Sequence, residues 1–484
     1  MKFSKISLGV ATVFGIMASP AHAILASSYT NASEFSGDTQ NIRISGATAQ
    51  DVGLLSAALR FCSAGTMTAY SITNNFVYLC TADTTKFTPR SGATKLAVYK
   101  YSVGGSGAGV GFVNDATPIP FLDLTKLAAN CTAGSATADA DGTATNLSTY
   151  TLFSCTAASS SLTTNAVSYI GVSDVEPQFF GAPSTYSKLN AAGLATVIFG
   201  VPVTKAAYEK LQTAQGLTVG SLTEANMPTL SQAQVTSMFT QEGQTWAAVT
   251  GTEVNAADDL IYVARRVDSS GTQKTFEGVI ARTLNGTTGA RQCASNVEPF
   301  VSGTVVLDNT AANVSCADGT ITVNGSGGGQ VQACLNKHQD GGRGAVGTLT
   351  TETLTSTAGK FRFVKVNGNA PTQANVAAGK YTQYADASIN TRTGATLPTA
   401  TAAGYADFVT ALKTEFASPA IIEVINTGAG GSQPFGASGL MALDNLVSPV
   451  PAADYTGASG RNPWSRLVGG TDLNNCQMGK TAAF

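Results

Sequence analysis

Eight cysteines behind an export-type N-terminus constrain this chain more than any other feature. Cys62, Cys80, Cys131, Cys155, Cys293, Cys316, Cys334 and Cys476 follow a start in which Lys2 and Lys5 precede a short apolar run, Ile6 to Met17. A small-x-small site, Ala21-His22-Ala23, comes next. That order is the layout of a secretory signal peptide over residues 1–23. The apolar run is shorter than the roughly 20 residues a bilayer span needs. The cleavage site has no cysteine to carry a lipid, so no membrane anchor is expected and the mature protein is placed in the periplasm or outside the cell. An even cysteine count in an exported chain reads as a disulfide framework. Short spans favour 62–80, 131–155 and 316–334, leaving 293–476 to tie down the C-terminus.

Histidine usage excludes more. With His22 in the leader, His338 is the only histidine of the mature chain, in a Lys-His-Gln-Asp-Gly-Gly segment that reads as a solvated loop. Ser-His-Asp, Cys-His and HExxH chemistries all need histidine, and no CxxC pair exists. A nucleophile–base hydrolase, a zinc site and any other metal or cofactor are therefore not expected. The whole chain carries 28 Lys+Arg against 30 Asp+Glu. Loss of Lys2 and Lys5 makes the mature chain mildly acidic, with no basic run to hold nucleic acid. Charged residues make up 12% of the sequence, against about 25% in an average soluble protein. Gly, Ala, Ser and Thr take their place, which suits an exported protein.

The hydrophobic pattern alternates strands with helices, an α/β signature. Strands are expected at Ile42–Ile44, Leu96–Tyr99, Ser168–Val172, Thr196–Val203 and Leu260–Arg265. Helices are expected at Ala49–Phe61, Lys205–Ala214, Ser231–Phe239, Thr272–Thr283, Gln330–Lys337 and Tyr405–Phe416. Two Ser/Thr/Asn/Gly-rich stretches, about 113–165 and 286–322, hold two cysteines each and read as disulfide-stapled, β-rich insertions.

Three strand ends run into glycine- or hydroxyl-rich turns that open helices. They are Ser45-Gly46-Ala47-Thr48-Ala49-Gln50, Val103-Gly104-Gly105-Ser106-Gly107-Ala108-Gly109 and Arg266-Val267-Asp268-Ser269-Ser270-Gly271-Thr272. A helix start offers unpaired N–H groups and the positive end of a dipole. Hydroxyls add neutral donors, and an arginine adds charge with a planar fork that matches oxyanions. Each turn alone is also an ordinary cap. Together they read as an anion clamp.

In this order the segments resemble the ligand loops of periplasmic phosphate-binding proteins of ABC transporters, which have the type II periplasmic-binding fold. The family's Gly-Ala-Thr matches Gly46-Ala47-Thr48, and its Tyr-x-x-x-Gly-Ser-x-x-Gly matches Tyr101 through Gly105-Ser106 to Gly109. Its Gly-x-Ser-Asp matches Gly171-Val172-Ser173-Asp174, and its Arg-Ser-Asp-Gly-Ser-Gly-Thr matches Arg266 to Thr272. Leu230 to Trp246 resembles its helix ending in a Trp. Asn324 to Gly329 resembles the start of a further helix, and Gly344-Ala345-Val346-Gly347 its Gly-Ala-Ile-Gly strand. The sequence departs at Val267, Ser269 and Ala108, lacks the family's Phe-Pro after Thr48, and carries the insertion before Asp174.

The resemblance implies a two-lobe α/β fold: lobe I from 24–199 and 356–484, lobe II from 200–355, with hinges near Val201 and Thr355. It implies that Thr48, the Ala49 N–H and Ser106 donate to phosphate. Arg266, oriented by Asp268, pairs with the anion, and Ser270, Gly271 and Thr272 bind it at a helix start. Asp174 accepts the proton of phosphate, which fully ionised sulfate lacks. The implied function is non-enzymatic capture of an oxyanion for a receiving ABC transporter. An adhesive or structural surface protein that reuses the fold is the alternative, and a secreted phosphatase a further one.

Overall fold

The computed structural model describes residues 25–29, 37–72, 74–137, 149–155, 159–181, 183–280, 303, 305–307, 314–351, 359–393, 399–419, 422, 439–443, 461–464, 466–468 and 472–476. The expected leader, all of 286–302 with Cys293, and the hinge position Thr355 lie outside them. The chain is a mixed α/β protein dominated by sheet.

Strand β1 (Thr39–Gly46) leads through a single 3-10 turn, Thr48–Gln50, into α1 (Asp51–Arg60). The hairpin β2 (Thr68–Ile72) and β3 (Asn75–Thr81) is followed by β4 (Lys95–Tyr101) and α2 (Gly105–Asp115). Next come β5 (Pro118–Leu122), α3 (Leu124–Leu127), β6 (Cys131–Thr137), β7 (Thr149–Cys155), β8 (Thr163–Val167) and β9 (Ile170–Ser173). Strands β1 and β4 pair in parallel with Ile44 opposite Lys100. The stretch 113–165 begins inside α2, and its disulfide-joined hairpin β6–β7 continues a sheet through β7 and β2.

The long strand β10 (Leu189–Thr204) carries the chain from one sheet to another. Its first part pairs with β18, and its last residues, Val201 to Thr204, pair with β17. Between these partners lie α4 (Lys205–Ala214), β11 (Thr229–Leu230), α5 (Gln232–Thr240), α6 (Trp246–Thr250), β12 (Tyr262–Arg266) and α7 (Gly271–Thr275). They continue with β13 (Val305–Leu307), α8 (Val314–Ala317), β14 (Thr322–Gly325), α9 (Gly328–Asp340), β15 (Ala345–Gly347), β16 (Leu349–Thr350) and β17 (Phe361–Val366). The chain then returns through α10 (Gln373–Ala377), β18 (Tyr384–Arg392), α11 (Thr399–Ala417), β19 (Leu440–Leu443) and β20 (Arg461–Asn462).

Pairing gives one sheet in the order β6-β7-β2-β3-β4-β1-β9-β18-β10-β19-β20 and a second in the order β13-β14-β12-β15-β10-β17-β11. Strand β17 joins the second sheet, so residues past 355 still build it. Where strands run parallel (β4-β1-β9 and β13-β14-β12-β15), helix starts gather at their C-terminal ends, as open α/β sheets dispose them.

Local sequence explains most boundaries. Ser231 caps α5 through a reciprocal capping box with Gln234, an arrangement that satisfies two otherwise orphaned N–H groups. Trp246 is fully buried but opens α6 rather than closing α5. The helix expected at Thr272–Thr283 is α-helical only over Gly271–Thr275 and widens into a π turn at Phe276–Ile280.

Disulfides Cys62–Cys80, Cys131–Cys155 and Cys316–Cys334 are formed as their spacing suggests. Cys476 is also disulfide-bonded. His338 corrects the reading of a solvated loop. It is 0% exposed in the last turn of α9, its ring 4.6 Å from that of Tyr262. The helical pattern simply runs past Lys337 and buries the next turn. One of its ring nitrogens lies within 4.8 Å of Sγ of both Cys316 and Cys334. Those sulfurs are joined to each other, so neither is a thiolate able to ligate metal.

Burial, reinforced by Arg343 and opposed by Asp258, pushes the His338 imidazole down to about 4 from its ordinary 6.5. The unfolded chain therefore takes up a proton at a pH where the folded one does not, and stability falls as pH drops through that window. The expected loss between pH 7 and pH 4 is about 3 kcal/mol from this group. Urea melts across that range should show a shallower slope in His338→Gln. An unchanged slope would contradict the assignment.

Candidate functional site

The three glycine- and hydroxyl-rich turns converge. Gly46 ends β1 at φ +118°, a backbone region that L side chains rarely adopt. This twist brings the Ala47 N–H onto the Val172 carbonyl of β9 at 2.9 Å and sets the 3-10 turn Thr48–Gln50 at the sheet's edge. Gly104, left-handed at φ 86°, starts α2 so that Ser106 faces the same edge. Ser270 caps α7 by accepting from the Gln273 N–H at 3.4 Å.

Two halves of the chain touch here. The Gly107 N–H donates to the Ser269 carbonyl at 2.8 Å. Ser106 Oγ accepts from the Asp174 N–H at 3.0 Å. The Thr272 hydroxyl donates to Asp174 Oδ2 at 3.2 Å and accepts from Arg266 Nη1 at 3.4 Å. Gly271 is required by this closeness, since a Cβ there would meet Ser106 Oγ at 2.3 Å and Asp174 Cβ at 2.7 Å.

Asp174 is 2% exposed. Its Oδ1 has no hydrogen-bond partner among the described residues. The Gln50 side chain lies close enough to favour the charged carboxylate, although its amide atoms lack hydrogen-bond geometry. Burial raises the Asp174 pKa, opposed by the charge of Arg266 and by Thr272, Gln50 and Ser106. Arg266 is 3% exposed, and burial pulls it down to about 10 against the attraction of Asp174. It stays a cation at neutral pH. Its Nε and Nη2 donate to the carbonyls of Gly325 and Ser326 at 3.2 and 3.1 Å, which fixes the fork.

Asp268 does not orient Arg266. Its side chain is 70% exposed and pairs with buried Arg265, which also reaches Glu277 at 3.4 Å. Successive residues of a strand point to opposite faces, so the neighbouring arginines part company and Asp268 serves the one away from Asp174. Orientation of Arg266 falls instead to Thr272 and two backbone carbonyls.

A cavity of about 270 Å³ opens beside this cluster. It is lined by Thr48, Ala49, Arg266 and Thr272 together with Asp51, Asn74, Leu349, Thr350 and, at the start of α9, Gly327 to Gln330 and Gln332. Ser106, Asp174, Ser270 and Gly271 are not on its wall; they pack behind Thr272 and Arg266.

Sequence reading missed Lys100. This side chain is 0% exposed at the end of β4, beneath the first turn. Its Nζ lies 2.9 Å from Asp51 Oδ1 and donates to the carbonyls of Gly46 and Ala47 at 2.9 and 3.2 Å and to Ser102 Oγ at 2.7 Å. Burial pulls Lys100 down and Asp51 up, and each charge opposes the other's shift. Four oxygens around one nitrogen favour the ammonium form. No local signal marks this lysine of β4 as such a clamp; only the parallel pairing of β1 with β4 brings it under the loop.

No protein-family model matches the chain, and no curated protein matches it. Solved structures similar to it include a phosphate ABC transporter substrate-binding protein with bound phosphate from Clostridium perfringens, at 13% identity and TM-score 0.41, covering 80% of this chain and 97% of that one. An ABC-type phosphate transport receptor from Vibrio cholerae aligns at 15% identity and TM-score 0.40, covering 79% and 97%. A phosphate-binding protein from Stenotrophomonas maltophilia aligns at 16% and TM-score 0.30, covering 65% and 78%. At these scores the likeness is one of broad chain course, and no residue assignment rests on it.

Proposed function

We propose that the protein is an exported, non-catalytic solute-binding protein that captures a protonated oxyanion, phosphate, in the cleft between its two sheets. The observation that carries this reading is Asp174. A buried carboxylate with one oxygen lacking a donor is costly, yet it sits behind an arginine and a threonine that both line a polar cavity. A ligand that brings both negative charge and a proton would satisfy Arg266 and, on displacing the Thr272 hydroxyl from the carboxylate, Asp174 as well. Thr48 and the Ala49 N–H, at the start of a turn held by Lys100, would supply further donors. In this reading the sheets belong to two lobes hinged where β10 passes between them near Val201, and closure traps the anion for a membrane transporter.

The test is calorimetric titration of the purified chain with phosphate and then sulfate. Phosphate should bind and sulfate should not. Asp174→Asn should narrow the discrimination by roughly tenfold or more, since an unsatisfied buried acceptor costs about 1–3 kcal/mol. Equal affinity for the two anions would sink the role given to Asp174. Heat from neither, in a folded chain, would favour a surface protein that keeps the fold without the ligand.

A further inference from the structure

We propose that the ligand of this cleft is a small phosphorylated polyol rather than a bare oxyanion, with its phosphoryl group on Arg266, Thr272 and Thr48 and its hydroxyls toward Asp51 and Asn74. The inference rests on the oxyanion reading above and names the substrate class.

Three observations point this way. First, the contact between Ser106, Asp174 and Gly271 is closed. The space a Cβ on Gly271 would need is already filled by Ser106 and Asp174, so an anion can approach Asp174 only from the side of Arg266 and Thr272. The open volume lies on the side of Thr48, Arg266 and Thr272.

Second, that volume is large for five heavy atoms. At about 270 Å³ it approaches the range of roughly 300–1,000 Å³ typical of pockets for organic ligands. It runs from Arg266 to the first turn of α9, where Gly327 caps the helix without a side-chain hydrogen bond.

Third, the wall carries a carboxylate. Asp51 lines the cavity with 20% of its side chain exposed. Its partners are Lys100 on Oδ1 and Ser102 on both oxygens. A carboxylate offers about four acceptor sites, so Asp51 keeps capacity for another donor. Toward the unprotonated oxygens of an anion this group is repulsive. Toward a hydroxyl it is a hydrogen-bond acceptor, and the neighbouring Asn74 amide can give or take a further bond. Among the described residues Leu349 is the one large apolar side chain on the wall, which suits a short polar substituent better than a hydrocarbon chain.

Calorimetry of the full chain with inorganic phosphate and, separately, glycerol 3-phosphate tests this. Glycerol 3-phosphate should bind at least roughly tenfold more tightly, the effect of one or two added hydrogen bonds. Asp51→Asn should erase most of that preference. Because Asp51 also holds Lys100, Gly329→Leu serves as a second variant: it lines the cavity at a position where a Cβ meets no atom within 4 Å, and it should cut the preference in the same way. Phosphate binding as tightly as glycerol 3-phosphate, or a preference untouched by Gly329→Leu, overturns this inference and leaves the oxyanion reading standing. Binding of neither ligand by the folded chain overturns both.

Discussion

Arg266→Ala is expected to weaken phosphate binding by roughly 30-fold or more and to destabilise the fold at the same time. Truncating one partner of a buried charged contact costs about 2–5 kcal/mol of binding, which weakens affinity by roughly 30-fold to a few thousandfold. Stability suffers because Arg266 is the cation that offsets the buried Asp174 and the donor for Gly325 and Ser326. An uncompensated buried charge typically costs about 3–5 kcal/mol. The sign of its pH dependence follows. Without Arg266 the Asp174 carboxyl, already raised by burial, rises further. The folded state then binds a proton that the unfolded state releases, so the variant should regain stability as pH falls toward 5. Urea melts at pH 7 and pH 5 read this directly, and Asp174→Asn in the same chain should restore part of the loss. A variant that keeps wild-type phosphate affinity would remove Arg266 from the site.

Lys100→Met should be the most damaging substitution away from the cavity wall. Methionine matches the length of the stem but leaves Asp51 without its cation and the carbonyls of Gly46 and Ala47 without a donor. Breaking a buried pair in this way costs about 3–5 kcal/mol, and partial exposure of Asp51 to solvent argues for the lower end. The double variant Lys100→Met, Asp51→Leu should be more stable than Lys100→Met alone, because it removes the stranded charge with its partner. Chemical denaturation of the two variants decides the matter. A loss below roughly 1 kcal/mol in Lys100→Met would mean that solvent or a neighbour replaces the ammonium. Since the same ammonium holds the turn carrying Thr48 and the Ala49 N–H, weaker ligand binding should accompany the instability.

Much of this was legible in the residues. The alternation that gives β10 and α4 is carried by Thr196–Val203 and Lys205–Ala214, where apolar runs and helical spacing are strong. Short loops suggest the three disulfide pairs that the structure forms, because closing a loop of about 20 residues costs little chain entropy. The glycine of each turn is likewise a local statement: Gly46 is written where the backbone must take a positive φ.

Other features depend on what lies opposite, and no local pattern reports that. Asp268 sits two residues from Arg266 in sequence, yet strand alternation sends Arg266 toward Asp174 while Asp268 pairs with Arg265. His338 belongs to a hydrophilic stretch and is buried nonetheless, because α9 continues one turn further and packs that face onto Tyr262. The closed contact of Ser106 with Gly271 joins residues far apart in the chain.

What the sequence by itself determined is therefore the alternating α/β order, the turns with their glycines and hydroxyls, the cysteine pairs of short span, and the residue types able to hold an anion. All are set by backbone sterics, side-chain chemistry or chain entropy within a few residues or one short loop. Only the tertiary structure decided which arginine meets Asp174, that Lys100 locks the first turn, and where between the sheets the open volume lies. Those are outcomes of register and burial: low-dielectric surroundings magnify each pairing, and strands distant in sequence must first be aligned before any pair can form.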